Sequence, residues 1–191
     1  SYTFATSTWY HAAATYNDST GAVALYLNGA LVASGTLSTN DVAYNGSYDE
    51  GYTIGAMLRN ISNSYGNQTL DEILIFNTVL SASDINNLYI TGLGSFGVYQ
   101  QKAVGAYQEG ITGTYLYSSS ESGQTSYWPM ENPSGTTVSD IVGSNSGTAS
   151  GTTVVSGRYG NSRSFNGSSD YVTIPNSIDT PIKTGSFTLS S

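Results

Sequence analysis

The chain has 191 residues, no cysteine and a formal net charge of −8, with 13 acidic residues against 5 basic ones. The lack of cysteine excludes a disulfide scaffold, a thiolate zinc site and a cysteine nucleophile. The scattered basic residues form no patch for nucleic acid, and no apolar run reaches the ~18 residues of a membrane span. Its 22 glycines and 16 tyrosines favour short strands and turns over helices.

The N-terminal part of the chain predicts several strands followed by one helix. Asn28-Gly29 lies between two apolar runs, which predicts a tight hairpin with positive φ at both residues. Ser81 and Asp84 have the spacing of a helix cap, and the helix is expected to run to Tyr89. A polar loop at 58–69 separates the last two of the expected strands, which are 9–16, 22–27, 30–34, 52–57 and 70–76.

The second part of the chain follows a change of composition and predicts further short strands. Residues 93–122 are rich in Gly, Tyr, Gln and Ser and are expected to be a linker that carries one or two strands. Pro129 favours an edge position for the strand that it follows. Short strands with a single helix predict an all-β fold, an antiparallel jelly-roll β-sandwich. The strands expected after the linker are 126–130, 152–155, 162–165, 170–174 and 186–190.

Two sets of motifs resemble opposite halves of one known fold. Trp9-Tyr-His-Ala-Ala-Ala-Thr-Tyr and Leu70-Asp-Glu-Ile-Leu-Ile-Phe occur in residues 1–92, and Gly157-Arg-Tyr-Gly-Asn occurs in residues 123–191. The first set resembles the later strands, and the second the opening strands, of the laminin-G-like branch of the concanavalin A-like lectin/glucanase superfamily. The resemblance implies a sandwich whose C-terminal half comes first and whose N-terminal half comes last.

Three explanations of this reversed order are open. The chain is a window across two copies of a repeat, a circular permutant, or a subunit whose C-terminal block completes the next chain. A half-sandwich leaves strand edges and an apolar face unpaired, which invites pairing with another chain. The repeat and the exchange both predict an elongated assembly.

Five asparagines lie in N-x-Ser/Thr sequons, most of them in expected loops. An Asn- and Ser-rich chain also forms sequons by chance. Together with the absence of cysteine, the sequons favour an extracellular or cell-surface glycoprotein. They are Asn17, Asn45, Asn60, Asn67 and Asn166.

The resemblance also implies a structural calcium ion, since related sandwiches often hold one. Asp140, with Asn145 in the same turn, offers hard oxygen ligands, and Asp71 lies on the strand where the family often has a carboxylate. The alternative is that Asp140 caps a turn and that Asp71 is a solvated strand residue.

No catalytic residue is predicted. The Glu-x-Asp-x-x-Glu motif of the glucanase relatives is absent, and Asp71 and Glu72 would face opposite sides of a strand. Trp9 and Trp128 are interpreted as core anchors. The expected function is a non-catalytic structural module of a surface filament, thread or adhesive stalk, with copies of itself as partners. The alternative is a calcium-assisted lectin-like module that binds glycans.

Overall fold

The computed structural model describes residues 3–38, 52–57, 63–91, 123–178 and 185–191. In these ranges the alternating apolar residues form short strands, and a single α-helix follows the eighth. The strands before the helix are β1 (Ala12–Tyr16), β2 (Ala22–Leu27), β3 (Ala30–Thr36), β4 (Tyr52–Ile54), β5 (Ala56–Met57), β6 (Ser64–Tyr65), β7 (Asn67–Leu70) and β8 (Ile73–Phe76). After them come α1 (Ala82–Thr91), β9 (Gln124–Trp128), β10 (Thr137–Val138), β11 (Gly147–Ser150), β12 (Thr153–Ser156), β13 (Asn161–Asn166), β14 (Tyr171–Ile174), a 3-10 turn (Asn176–Ile178) and β15 (Phe187–Ser190).

The strands form antiparallel sheets that join the two ends of the chain. The largest sheet has six strands in the order β3-β2-β1-β15-β8-β9, so the last strand lies between β1 and β8. The second sheet has the order β10-β11-β14-β4, and the third β12-β13-β7. Each of these three sheets therefore combines strands from residues 1–92 with strands from residues 123–191. This architecture confirms the predicted all-β jelly-roll sandwich with one short helix.

Two apolar cores lie on opposite faces of the six-stranded sheet. The inner core lies between this sheet and the four-stranded sheet, where Trp128 and Val172 are 1% and 0% exposed. The outer core lies under α1, whose Ile85 and Leu88 pack against Phe76. No helix among the described residues has the length and apolar character needed to cross a membrane.

The hairpin and the helix cap are confirmed in detail. Asn28 and Gly29 have φ angles of 50° and 76°, as the Asn-Gly turn requires. The Asp84 N–H donates to Ser81 Oγ at 3.2 Å, and the Ser81 N–H donates to Asp84 Oδ2 at 3.0 Å. These reciprocal bonds satisfy two of the N–H groups that a helix start leaves unpaired.

Several element boundaries differ from those predicted. The strand expected at 9–16 starts at Ala12, and Trp9 is 41% exposed, so Trp9 is no core anchor, whereas Trp128 is one. β10 and β11 lie in a segment that was expected to consist of turns. The expected linker at 93–122 lies outside the described residues.

The polar segment at 58–69 was also expected to be a loop, but it contains β6 and β7. β7 is polar because it lies at a sheet edge, and it is stabilised by a four-residue ladder with β13. Because backbone hydrogen bonds form such a ladder, no apolar alternation marks it.

Candidate functional site

In the described ranges, one half of the six-stranded sheet has an inner face that the second sheet does not cover. Because residues paired across an antiparallel sheet share a face, Ile75, Leu189, Ala14 and Leu25 form one row. Along this row Ile75 is 8% exposed, Leu189 38% and Leu25 49%. The apolar pattern is the same throughout, but the covering layer ends part of the way across. We call Ala12, Ala14, Leu25, Val32 and Leu189 the open face.

The covering layer ends at β4. In the described part of the chain, β4 has one neighbour in its sheet, β14. A cavity of ≈ 620 Å³ opens beside it, with Ile54 and Ile75 on the covered side and Leu25, Val32 and Leu189 on the open side. The cavity therefore occupies the position where further strands of the second layer would lie.

The six-stranded sheet ends at an edge strand that carries no protection against pairing. All seven residues of β3, Ala-Leu-Val-Ala-Ser-Gly-Thr, are exposed. Leu31 and Val32 are each 55% exposed. Natural edge strands usually carry a charge or a proline that prevents edge-to-edge pairing, and β3 has neither.

The outer face of β1 and β15 is covered. The row that includes Leu74, Ser190 and Ala13 is 4–6% exposed, because α1 packs over it. The exposure of the open face therefore does not extend to the outer side of β1 and β15.

A second feature is a group of three carboxylates at one end of the covered half. Asp71 and Glu72 form the turn between β7 and β8, and Glu131 follows β9. Glu72 has a φ of 56°, and in this turn conformation its carboxylate lies near those of Asp71 and Glu131. The expectation that these two neighbours face opposite sides is therefore wrong, because they do not lie on a strand. We call Asp71, Glu72 and Glu131 the carboxylate cluster.

Each member of the carboxylate cluster uses one oxygen and leaves the other unpaired. Asp71 Oδ2 accepts the Arg158 N–H at 2.9 Å, and Glu131 Oε2 accepts the Asn161 N–H at 3.0 Å. Glu72 Oε2 accepts the hydroxyl of Tyr127. The second oxygen of each carboxylate is buried without a hydrogen-bond partner.

A glycine lets the loop between β12 and β13 approach the cluster. Gly160 has a φ of 61°, and a Cβ there would overlap the carboxylate of Glu131. Any other residue would thus be strained by its backbone and would push the glutamate away.

The electrostatics of the carboxylate cluster favour bound protons. Burial, with the charges of Asp71 and Glu131 nearby, raises the pKa of Glu72 to about 10. Burial also raises the pKa of Asp71 to about 6, against the lowering effect of three backbone N–H groups, those of Tyr159, Arg158 and Glu72. Burial raises the pKa of Glu131 as well. At neutral pH, Glu72 therefore holds a proton.

Of the predicted calcium ligands, Asp140 and Asn145 lie in one turn and are joined by a hydrogen bond. Asp140 Oδ1 accepts the N–H groups of Tyr127, Val142 and Gly143 at 2.9–3.1 Å, and its Oδ2 accepts that of Asn145 at 3.1 Å. Both oxygens of Asp140 thus organise a loop, as its turn-capping alternative proposed. Asn145 is also fully engaged, since its side chain bonds to the hydroxyls of Ser126 and Ser177.

Of the predicted ligands, Asp71 alone keeps a free oxygen. It is 5% exposed, and its neighbours Glu72 and Glu131 each offer a further unpaired oxygen of the type that calcium prefers. Among the described residues, no three side chains of His, Cys, Asp or Glu form a ready metal site. The carboxylate cluster therefore offers oxygen donors of the type that calcium prefers, but its side chains are not arranged as a metal site. Glu131 had no signal in the sequence.

Three of the five sequons lie in the described ranges. Asn67 and Asn166 are exposed, and they face each other across the β7–β13 ladder. Asn17 is half-buried, and its amide oxygen accepts the N–H groups of Ser19 and Thr20. Asn45 and Asn60 lie outside the described residues.

Comparison with known families supports the fold. Residues 1–86 match a laminin G family model of the concanavalin A-like lectin/glucanases superfamily. The predicted superfamily is thereby confirmed on the first of the two blocks. Neither the curated proteins nor the solved structures give a significant match.

Proposed function

We propose that this chain, whose residues 1–86 belong to the concanavalin A-like lectin/glucanase superfamily, is a non-catalytic structural module that joins neighbouring units. It would be a subunit or repeat of an extracellular filament, thread or adhesive stalk, assembled by completion of its sheets. The observation that carries this proposal is β3, an uncharged edge strand exposed along its whole length beside the open face. Such an edge is a template for pairing with another chain.

The extracellular location rests on the sequence together with the exposed positions of Asn67 and Asn166. Both residues are exposed at the surface, as a glycosylated asparagine must be. Their facing positions in one ladder would bring two glycans side by side on the sheet that does not carry the open face. Glycans there would leave the open face available for assembly.

The proposal is tested by the size of the purified chain across a wide concentration range. We expect species larger than the 20.0 kDa chain, and elongated particles by electron microscopy. A chain that sediments as a compact monomer up to several hundred micromolar would rule the proposal out. A panel of polysaccharides checks the non-catalytic part, because measurable hydrolysis would contradict it.

The carboxylate cluster supports a second candidate, the calcium-assisted lectin-like module. Three buried oxygens without hydrogen-bond partners could ligate a calcium ion that replaces the bound protons. The glutamate side chains would have to move towards Asp71 for this. In such a module the cation would fix the loop that contains Arg158 and Asn161, which already bonds to the cluster.

Calcium binding is tested through the melting temperature with and without the ion. Calcium should raise the melting temperature of the wild type but not that of Asp71→Asn, because a ligand that binds only the folded state stabilises it. Asp140→Asn should keep the calcium response, since Asp140 lies outside the cluster. A wild type that is indifferent to millimolar calcium, with no signal on a glycan array, would remove this candidate.

A further inference from the structure

We propose that the open face is filled by the open face of a second copy, in a two-fold pair. This inference rests on the proposed function and names its first contact. Each copy then covers the strands that the described residues of the other copy leave open.

The first argument is the shape of the gap. The four-stranded sheet covers β9 and β8 and ends at β4, whereas the six-stranded sheet continues through β15, β1, β2 and β3. Packed sheets lie about 10 Å apart and neighbouring strands about 4.8 Å apart. A second set of four strands placed on the open face is therefore level with the four-stranded sheet and extends it.

The second argument is the position of the two edge strands. A two-fold axis between the facing layers brings β3 of one copy next to β4 of the other. β3 ends the six-stranded sheet and is exposed along all seven residues, and β4 ends the four-stranded sheet. The same axis places β4 of the first copy beside β3 of the second. The β3–β4 contact therefore occurs twice in the pair, as an isologous contact requires.

The third argument is charge. The chain carries a formal net charge of −8, so two copies repel each other over most of their surface. The strands β1, β2, β3 and β15 contain no Asp, Glu, Lys or Arg. Two open faces can therefore meet without burying an unpaired charge, and their mix of alanines with leucines and valines provides both grooves and ridges.

The size of the surface predicts the strength of the pair. Four strands about 4.8 Å apart and roughly 20 Å long give a flat footprint of about 400 Å² in each copy. Specific interfaces bury about 800 Å² of accessible surface for each partner, and side-chain relief makes accessible area larger than the flat footprint. The contact therefore lies at the small end of the range, and we expect the pair to form at micromolar concentration.

A closed pair also has a consequence for the filament. Each chain has one open face, and the pair uses both, so this contact alone cannot propagate. A thread would be built from pairs joined through a second surface.

The experiment compares the wild type with Leu25→Lys and with the control Val155→Lys. Val155 is 37% exposed on β12, away from the open face. By sedimentation equilibrium, we expect the wild type and Val155→Lys to change from one chain to two in the micromolar range. Leu25→Lys should stay a single chain, with at least a tenfold weaker association and an unchanged melting temperature when dilute.

A thiol probe identifies what covers the open face, since the chain has no cysteine of its own. Ala33→Cys lies across from Leu25 in the same row. Its reaction with a soluble disulfide reagent should slow as the protein concentration rises. A thiol protected at every concentration would show that another part of the same chain covers the face, and would overturn the pair. An accessible thiol in a wild type that stays monomeric would overturn both the pair and the proposed function. Assemblies that tolerate Leu25→Lys would overturn the pair alone.

Discussion

The two halves of the six-stranded sheet have the same alternating pattern but different surroundings. On the covered half, Ile75 and Trp128 are buried under the four-stranded sheet. On the other half, Leu25 and Val32 have the same strand geometry and remain about half exposed. The hydrophobic pattern of a strand thus specifies which face seeks a partner, but it does not specify whether the chain itself contains that partner.

The strongest test of this comparison removes one large side chain from each half of the same row. Ile75→Ala should lower the free energy of unfolding by about 2–5 kcal/mol, because it leaves a cavity in a packed core. Leu25→Ala should cost about 1 kcal/mol or less in the dilute chain, since its side chain is already half solvated. Chemical denaturation at low concentration measures both. Equal costs would show that the open face is covered within the chain.

The loops of the two halves offer the next contrast. Asp140→Ala should cost about 1–3 kcal/mol, because it leaves several buried N–H groups unpaired. Asn17→Ala removes similar bonds in the exposed turn between β1 and β2. We expect it to cost about 1 kcal/mol or less, since water replaces the lost acceptor. Denaturation midpoints compare the two variants. A larger loss of stability from Asn17→Ala than from Asp140→Ala would contradict the expected contrast between the two loops.

The carboxylate cluster makes the stability of the covered half depend on pH. The pKa of Glu72 is about 10 in the fold against an ordinary value of 4.5, so unfolding releases a proton between these limits. The free energy of unfolding therefore falls as pH rises through this window, by up to about 1.4 kcal/mol per pH unit. The raised pKa of Asp71, about 6 against 3.8, has the same sign at lower pH.

Glu72→Gln mimics the protonated side chain and should flatten this profile. Its melting temperature should exceed that of the wild type at pH 8 and match it near pH 5. Ser83→Ala, in α1 and outside the cluster, serves as the control and should keep the wild-type slope. A Glu72→Gln profile parallel to that of the wild type would show that the cluster does not hold the proton.

The sequence predicted the local structure well where a physical rule acts within a few residues. The Asn28-Gly29 turn and the Ser81–Asp84 cap are such cases, since both depend on short-range backbone bonds. It missed β7, whose stability comes from β13 far away in the chain. The sequence analysis also grouped Asp71 with Asp140 as ligands of one ion. Spacing in sequence cannot show that both oxygens of Asp140 accept N–H groups, whereas Asp71 keeps one unpaired oxygen beside Glu131.

The smallest expected effect concerns the helix, which covers the outer face of both halves. Ser81→Ala removes the acceptor of the Asp84 N–H and should cost about 1 kcal/mol. Because α1 contacts β3, fraying of its first turn should also speed amide exchange on the open half more than on β8, whose inner face is buried. Ser83→Ala leaves the Ser81–Asp84 bonds in place and should be neutral. The helix is common to both halves, and the four-stranded sheet covers the inner face of only one of them. Equal amide exchange on both halves after Ser81→Ala would therefore show that this sheet does not protect the covered half.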